Sequence, residues 1–311
     1  MSLRFKVLDA FTNMPFGGNP AAVILLPHDH KYPDSTLLGI AKEFNISETA
    51  YIIVPSTIEV HEATPNGGRH VELGLRWFTP VCEVALCGHA TLCSSAAVFS
   101  DESLIPPDVN EIRFSTLSGM LTARRVPSQP PKYEVHLPAG TAVPAGDETV
   151  RIARELTKNA LGEGVKVLSV AVSPASPYTE YILIEIDNNV PLRGLHVVPS
   201  AFVSDKWQFT LFMVTQCNVV DESTNALGFD YRVFAPAWGI MEDPVCGSAI
   251  AFAASSWAAK VPPQVDALTG EPVNKVHAVS ARGGEIDVVC DGAVVKLRGE
   301  VRVASRGEVF L

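Results

Sequence analysis

The sequence predicts an α+β protein of two similar halves, each rich in β-strand around one buried helix. Three observations carry this prediction. First, a signature occurs twice: Arg76-Trp77-Phe78-Thr79-Pro80 leads to Cys87-Gly88-His89-Ala90, and Arg232-Val233-Phe234-Ala235-Pro236 leads to Cys246-Gly247-Ser248-Ala249. The copies stand about half of the 311 residues apart, too far for solenoid units of roughly 20–50 residues. Second, each copy opens into a run that is small and apolar almost all round, 88–99 and 247–259, the pattern of a buried rather than an amphipathic helix. Third, most of the remaining apolar segments are short and punctuated by Gly and Pro, as strands are.

Taken in order, residues 5–11 read as a first strand. Phe16-Gly17-Gly18-Asn19-Pro20 reads as a turn, and 21–26 as a second strand. Asp34–Phe44 has helical spacing of Leu37, Ile40, Ala41 and Phe44, with Asp34 as the expected cap. Ser47-Glu48-Thr49 stands at the mouth of a strand over 50–54. In the second half, Asp147–Leu161 repeats the helical pattern of Asp34–Phe44, and 286–289, 294–297 and 301–303 read as strands separated by Gly-containing turns. The Pro-rich stretch 127–144 is the expected linker. It divides the chain into domains 1–126 and 127–311, with the option that the last strand returns to the first domain.

Composition sets further bounds. Hydrophobic residues make up 47% and charged residues 19%, enough for a large core and unlike a disordered chain. The formal charge of −10 argues against nucleic-acid binding, which needs clustered Lys and Arg. No apolar run is long enough to span a membrane, and the start has no secretory pattern, so a cytoplasmic protein is expected. Cys82, Cys93, Cys217 and Cys290 are expected to be small buried packing residues. No Cys-x-x-Cys pair and no ligand-spaced histidines suggest a metal site. With Gly67-Gly68 and Gly283-Gly284 read as turns and no Walker motif, a nucleotide cofactor is not expected either.

The two Cys-Gly corners are the chemically suggestive feature. A helix start offers unpaired N–H donors and a partial positive charge, which together bind a carboxylate or phosphate. Gly88 and Gly247 would either let a ligand approach those donors or only allow tight helix packing. His89 would be either a satisfied core residue or an acid–base and hydrogen-bonding group. Glu48, flanked by Ile46, Ala50 and Tyr51, would be either a solvated charge or a carboxyl whose pKa is raised in a dry site.

Five ordered motifs then carry a resemblance across essentially the whole chain: Gly18-Asn19-Pro20-Ala21-Ala22-Val23, Ser47-Glu48-Thr49-Ala50, Arg76-Trp77-Phe78-Thr79-Pro80, Cys87-Gly88-His89-Ala90-Thr91 and Glu242-Asp243-Pro244-Val245-Cys246-Gly247-Ser248-Ala249. In these the chain resembles the phenazine-biosynthesis (PhzF-like) isomerase family. The resemblance implies a diaminopimelate epimerase-like fold, in which each of two domains wraps a β-barrel-like sheet around a central helix. It implies a cofactor-independent isomerase and a homodimer, acting on a small anionic substrate. It places the acid–base role on Glu48, with His89, Asp243 and Ser248 binding and polarising the substrate. Asn19, Cys87, Gly88, Ala90, Cys246 and Gly247 would line the substrate. Many members carry Thr where this chain has Cys246. Related racemases use two opposed cysteines, which makes a two-thiol racemase through Cys87 and Cys246 the second reading, since thiolates at helix starts have lowered pKa values. A non-catalytic ligand-binding protein of the same fold is the third.

Overall fold

A computed structural model describes residues 2–62, 68–204, 208–221 and 226–311. Gly67 of the expected turn lies outside the described residues. The chain divides into two compact units, Met1–Leu137 with Arg298–Leu311, and Pro138–Leu297. The division falls after Leu137 and not at 126/127. The cause is a strand inside the Pro-rich stretch, Lys132–Pro138, which belongs to the first unit's sheet.

The first unit runs β1 (Ser2–Ala10), β2 (Asn19–Pro27), α1 (Asp34–Phe44), β3 (Glu48–Val54), β4 (Arg69–Phe78), β5 (Glu83–Val84), α2 (Gly88–Phe99), β6 (Val109–Thr116), β7 (Gly119–Val126) and β8 (Lys132–Pro138). The second runs β9 (Val143–Pro144), α3 (Asp147–Leu161), β10 (Val167–Val172), β11 (Tyr181–Ile186), β12 (Leu211–Asp221), β13 (Ala226–Ala235), β14 (Ile240–Asp243), α4 (Gly247–Ala258), β15 (Gln264–Val265), β16 (Pro272–Ala278), β17 (Gly284–Asp291) and the first residues of β18 (Val294–Phe310). The rest of β18 closes the first unit. It pairs with β1 on one side and β8 on the other, so β18, β1, β2, β3, β4, β6, β7 and β8 form a closed eight-stranded barrel.

Every residue of α2 is buried. Its hydroxyls are satisfied within the helix: Thr91 donates to the Cys87 carbonyl at 2.5 Å, Ser94 to Ala90 at 2.7 Å and Ser95 to Leu92 at 2.8 Å. Small residues with internally bonded hydroxyls let a helix fill a barrel without unpaired polar groups. α1 packs on the outside, where Leu37, Ile40 and Ala41 meet Ile24, Leu26, Tyr51 and Phe78.

The second unit repeats this order. β2 and β3 are parallel, as are β11 and β12; β4 and β6 are parallel, as are β13 and β16. α4 occupies the place of α2. The outer helices do not correspond, however. α1 lies between β2 and β3, whereas α3 precedes β10 and a short 3-10 turn, Pro199–Phe202, stands between β11 and β12. The matching sequence patterns of α1 and α3 reflect one-sided burial, which any outer helix needs.

Three further expectations are corrected. Asp34 is the first helical residue and not the cap, which is Pro33; its carboxylate pairs with Arg76 at 2.9 Å. Residues 294–297 and 301–303 belong to one continuous strand, because Gly299 lies within β18 under the Phe11 ring. Cys82 and Cys290 are exposed and Cys217 is partly so; of the four expected buried cysteines only Cys93 is buried. Among the described residues no helix is long and apolar enough to cross a membrane.

Candidate active site

In the first unit, three of the five motifs meet through hydrogen bonds. The chain enters β2 through Gly18, at φ +68°, where a Cβ would lie 2.3 Å from the Ala10 carbonyl oxygen. Only glycine fits this bend. It delivers Asn19 opposite Ala10, fully buried. The Asn19 side-chain oxygen accepts from the Ser47 hydroxyl at 3.0 Å, and its amide nitrogen lies 3.2 Å from His89 Nδ1. Which of the two nitrogens donates in this contact follows the imidazole tautomer. Cys87 Sγ lies 3.4 Å from the same Nδ1.

Burial lowers the His89 pKa to about 4, against a small opposing pull from the Pro20 backbone. His89 is therefore a neutral imidazole at physiological pH. Glu48 follows Ser47 directly. It begins β3 in parallel register with Ala21, and only 8% of it is exposed. The solvated-charge reading of Glu48 does not hold. The corresponding strand of the second unit, β12, opens on Leu211, Phe212 and Met213, all buried. A buried carboxylate at this place exists in one half only.

In the second unit, Asp243 Oδ1 accepts from the Val245 N–H at 3.1 Å, which fixes the turn into α4. Ser248 Oγ stands 3.4 Å from Cys246 Sγ and 3.0 Å from the Tyr181 hydroxyl. Both helices start from an extended cysteine, Cys87 or Cys246, that makes no side-chain cap. Gly88, Ala90 and Gly247, at these starts, are buried. The Cys246 thiol is pushed well above its ordinary pKa, first by burial and then by the Asp243 carboxylate. This reverses, for Cys246, the expectation of a lowered thiol at a helix start: desolvation outweighs the helix end.

The repeated Arg-x-Phe-x-Pro has a structural explanation. Arg76 forks onto Glu83 at 2.7 and 2.8 Å and lies over the Phe78 ring. Arg232 forks onto Glu242 at 2.6 and 2.9 Å and lies over Phe234. Each guanidinium clamps the short strand, β5 or β14, that precedes the Cys-Gly corner. Glu242 is thus a structural carboxylate, while its neighbour Asp243 holds the turn.

A family model described as phenazine biosynthesis-like protein matches residues 8–308. The chain belongs to the phenazine biosynthesis-like protein family. A human phenazine biosynthesis-like domain-containing protein is 34% identical over 309 residues, 99% of this chain and 96% of that protein. A Pseudomonas aeruginosa protein described as an uncharacterized isomerase is 29% identical over 313 residues, 100% of both chains. A crystal structure of a PhzF-family phenazine biosynthesis protein from Enterococcus faecalis superposes with a TM-score of 0.76 at 26% identity, covering 100% of both chains. The fold is the α+β, epimerase-like one of this family, and the family supports a general isomerase or epimerase role.

No motif in the sequence singles out Tyr181. Tyr181-Ile182-Leu183-Ile184 carries only the signal of a strand. Its link to Ser248 emerges when the two units are matched strand by strand, since it opens β11 as Asn19 opens β2.

Proposed function

We propose that this family member is a cofactor-independent isomerase that moves a proton on a small carboxylate-bearing metabolite, cyclic or aromatic-like, with Glu48 as the acid–base group. The observation that carries the reading is the burial of Glu48 beside the Ser47–Asn19–His89–Cys87 hydrogen-bonded group. The Glu48 carboxylate takes a C–H proton, and the electron pair left behind delocalises over the conjugated system and its carboxylate. The protonated Glu48 then returns the proton at another carbon. Neutral His89 supports this as a hydrogen-bonding group and adds no cationic charge that would hold Glu48 ionised and weaken it as a base. Asp243 and Ser248 take the family's substrate-binding roles, and the N–H groups at Gly88, Ala90 and Gly247 suit a carboxylate.

The two-thiol reading requires a thiolate at Cys246, and the raised pKa there opposes it. The test compares Glu48→Gln with Cys246→Ser. Glu48→Gln is expected to keep its fold by circular dichroism and lose turnover by about a thousandfold, the range typical of removing a general base. Cys246→Ser is expected to retain most activity. Full activity in Glu48→Gln rejects the proposal, and loss confined to Cys246→Ser favours the racemase.

A further inference from the structure

Ser248 is the second residue of α4, and two groups address its hydroxyl. The Tyr181 hydroxyl lies 3.0 Å from it and Cys246 Sγ 3.4 Å from it. The Tyr181 ring is held by edge contacts to Tyr178 at 5.3 Å and to Phe252 at 6.1 Å. Those two rings are fixed in turn. Tyr178 donates to the Pro138 carbonyl at 2.7 Å, and Gly140 lies so close that a Cβ there would be 2.6 Å from the Phe252 Cα and 3.0 Å from the Tyr178 ring. A tyrosine packed this tightly has little freedom to move its hydroxyl away from Ser248. In the first unit Asn19, at the head of β2, addresses His89, the second residue of α2, in the same manner. Each half thus has a strand-opening polar side chain bonded to the polar second residue of its buried helix, and each has the cysteine before that helix within reach of the same group.

We propose that Tyr181 is a positioning residue for Ser248: its hydroxyl donates to Ser248 Oγ and so turns the serine's own proton outward, onto Cys246 Sγ in the structure described and onto a substrate oxygen when one binds. The proposal rests on the reading of Ser248 as a substrate contact. No bond is made or broken, and the proton stays on the serine. The phenol is a dependable donor because burial, and then the nearby Cys246, hold its pKa far above the ordinary value. A hydroxyl that accepts one hydrogen bond donates a stronger one, so Tyr181 sharpens Ser248 as a donor to an anion. Cys246, a neutral thiol, is the soft resting acceptor for that proton. An ordinary core aromatic at position 181 would need no hydroxyl, and phenylalanine would serve equally well.

The test uses Tyr181→Phe, which keeps the ring. Infrared spectroscopy of the S–H stretch reads the chain directly, with the Cys246 band assigned by its absence in Cys246→Ser. The band is expected to shift in Tyr181→Phe, because Ser248 loses its donor and re-aims its proton; an unmoved band overturns the proposal. Anthranilate supplies the functional arm. Its Kd is expected to rise about tenfold in Tyr181→Phe, the loss of one hydrogen bond, with no additional rise when Tyr181→Phe is combined with Ser248→Ala. Equal Kd values in wild type and Tyr181→Phe also overturn it. If wild type does not bind anthranilate at all, the aromatic-carboxylate reading of the function fails, and the S–H band still decides the role of Tyr181.

Discussion

At the scale of single residues, His89 differs from an ordinary histidine because its environment removes its charge. Burial depresses its pKa from 6.5 to about 4. The unfolded chain therefore binds a proton near pH 6.5 that the folded chain refuses until about pH 4. The resulting contribution to stability is fully present above pH 6.5 and is lost as the pH falls through the window down to 4, by up to about 3 kcal/mol. Two measurements check this. The His89 imidazole resonances should not titrate between pH 7 and 5, and His89→Gln should flatten the fall in stability over that window. A His89 that titrates near 6.5 contradicts the account. The motif singles out this residue in the sequence, but its surroundings are tertiary: it is buried in α2 and contacts Asn19, seventy positions away.

At the scale of elements, the guanidinium forks make a prediction of unequal size. The Arg232 side chain is 10% exposed and also donates to the Leu195 carbonyl, whereas that of Arg76 is 27% exposed. Lysine cannot fork. Arg232→Lys keeps the charge but loses the fork and the bond to Leu195, and is expected to cost about 2 kcal/mol in denaturant unfolding, and Arg76→Lys about half of that. Equal small losses would show that neither fork holds its strand. The elements themselves were largely legible. The four α-helices among the described residues are legible within their own sequences, α1 and α3 from one-sided helical patterning and α2 and α4 from runs that are small and apolar almost all round. β18 reads as two strands in the sequence because Gly299 resembles a turn locally, and only its neighbour Phe11, from the far end of the chain, shows why glycine stands in a strand. α3 and α1 share a sequence pattern, but their places in the topology are not written in that pattern.

At the scale of the whole molecule, β18 belongs to both units in sequence, and its later residues complete the first barrel through β1 and β8. Arg298 forms a buried ion pair with Glu134, which also accepts from His136 Nε2 at 2.6 Å. Burial raises the Glu134 pKa, but the His136 hydrogen bond and the charges of Arg298 and His136 outweigh it and bring the value down to about 2. This stabilisation is present above pH 4.5 and is lost as the pH falls toward 2. Arg298→Leu leaves Glu134 buried without its cation and is expected to cost about 3–5 kcal/mol. Its acid-unfolding midpoint should move upward in pH, and an unchanged midpoint contradicts the assignment. None of this was readable in the sequence beyond the option of a returning last strand, because barrel closure depends on residues 164 positions apart. The candidate site was readable as far as its motifs reach. Asn19, Glu48 and His89 were named from the sequence, while Tyr181 was not, since a strand-opening tyrosine carries no motif.

The central claim is that Glu48 carries the proton. It is tested most directly by proton NMR in D₂O, following deuterium entry into carbon positions of small cyclic and aromatic carboxylic acids incubated with the wild type, Glu48→Gln and Cys246→Ser. Exchange at a substrate carbon is expected with the wild type and Cys246→Ser, and none with Glu48→Gln. Exchange by Glu48→Gln at the wild-type rate would contradict the claim.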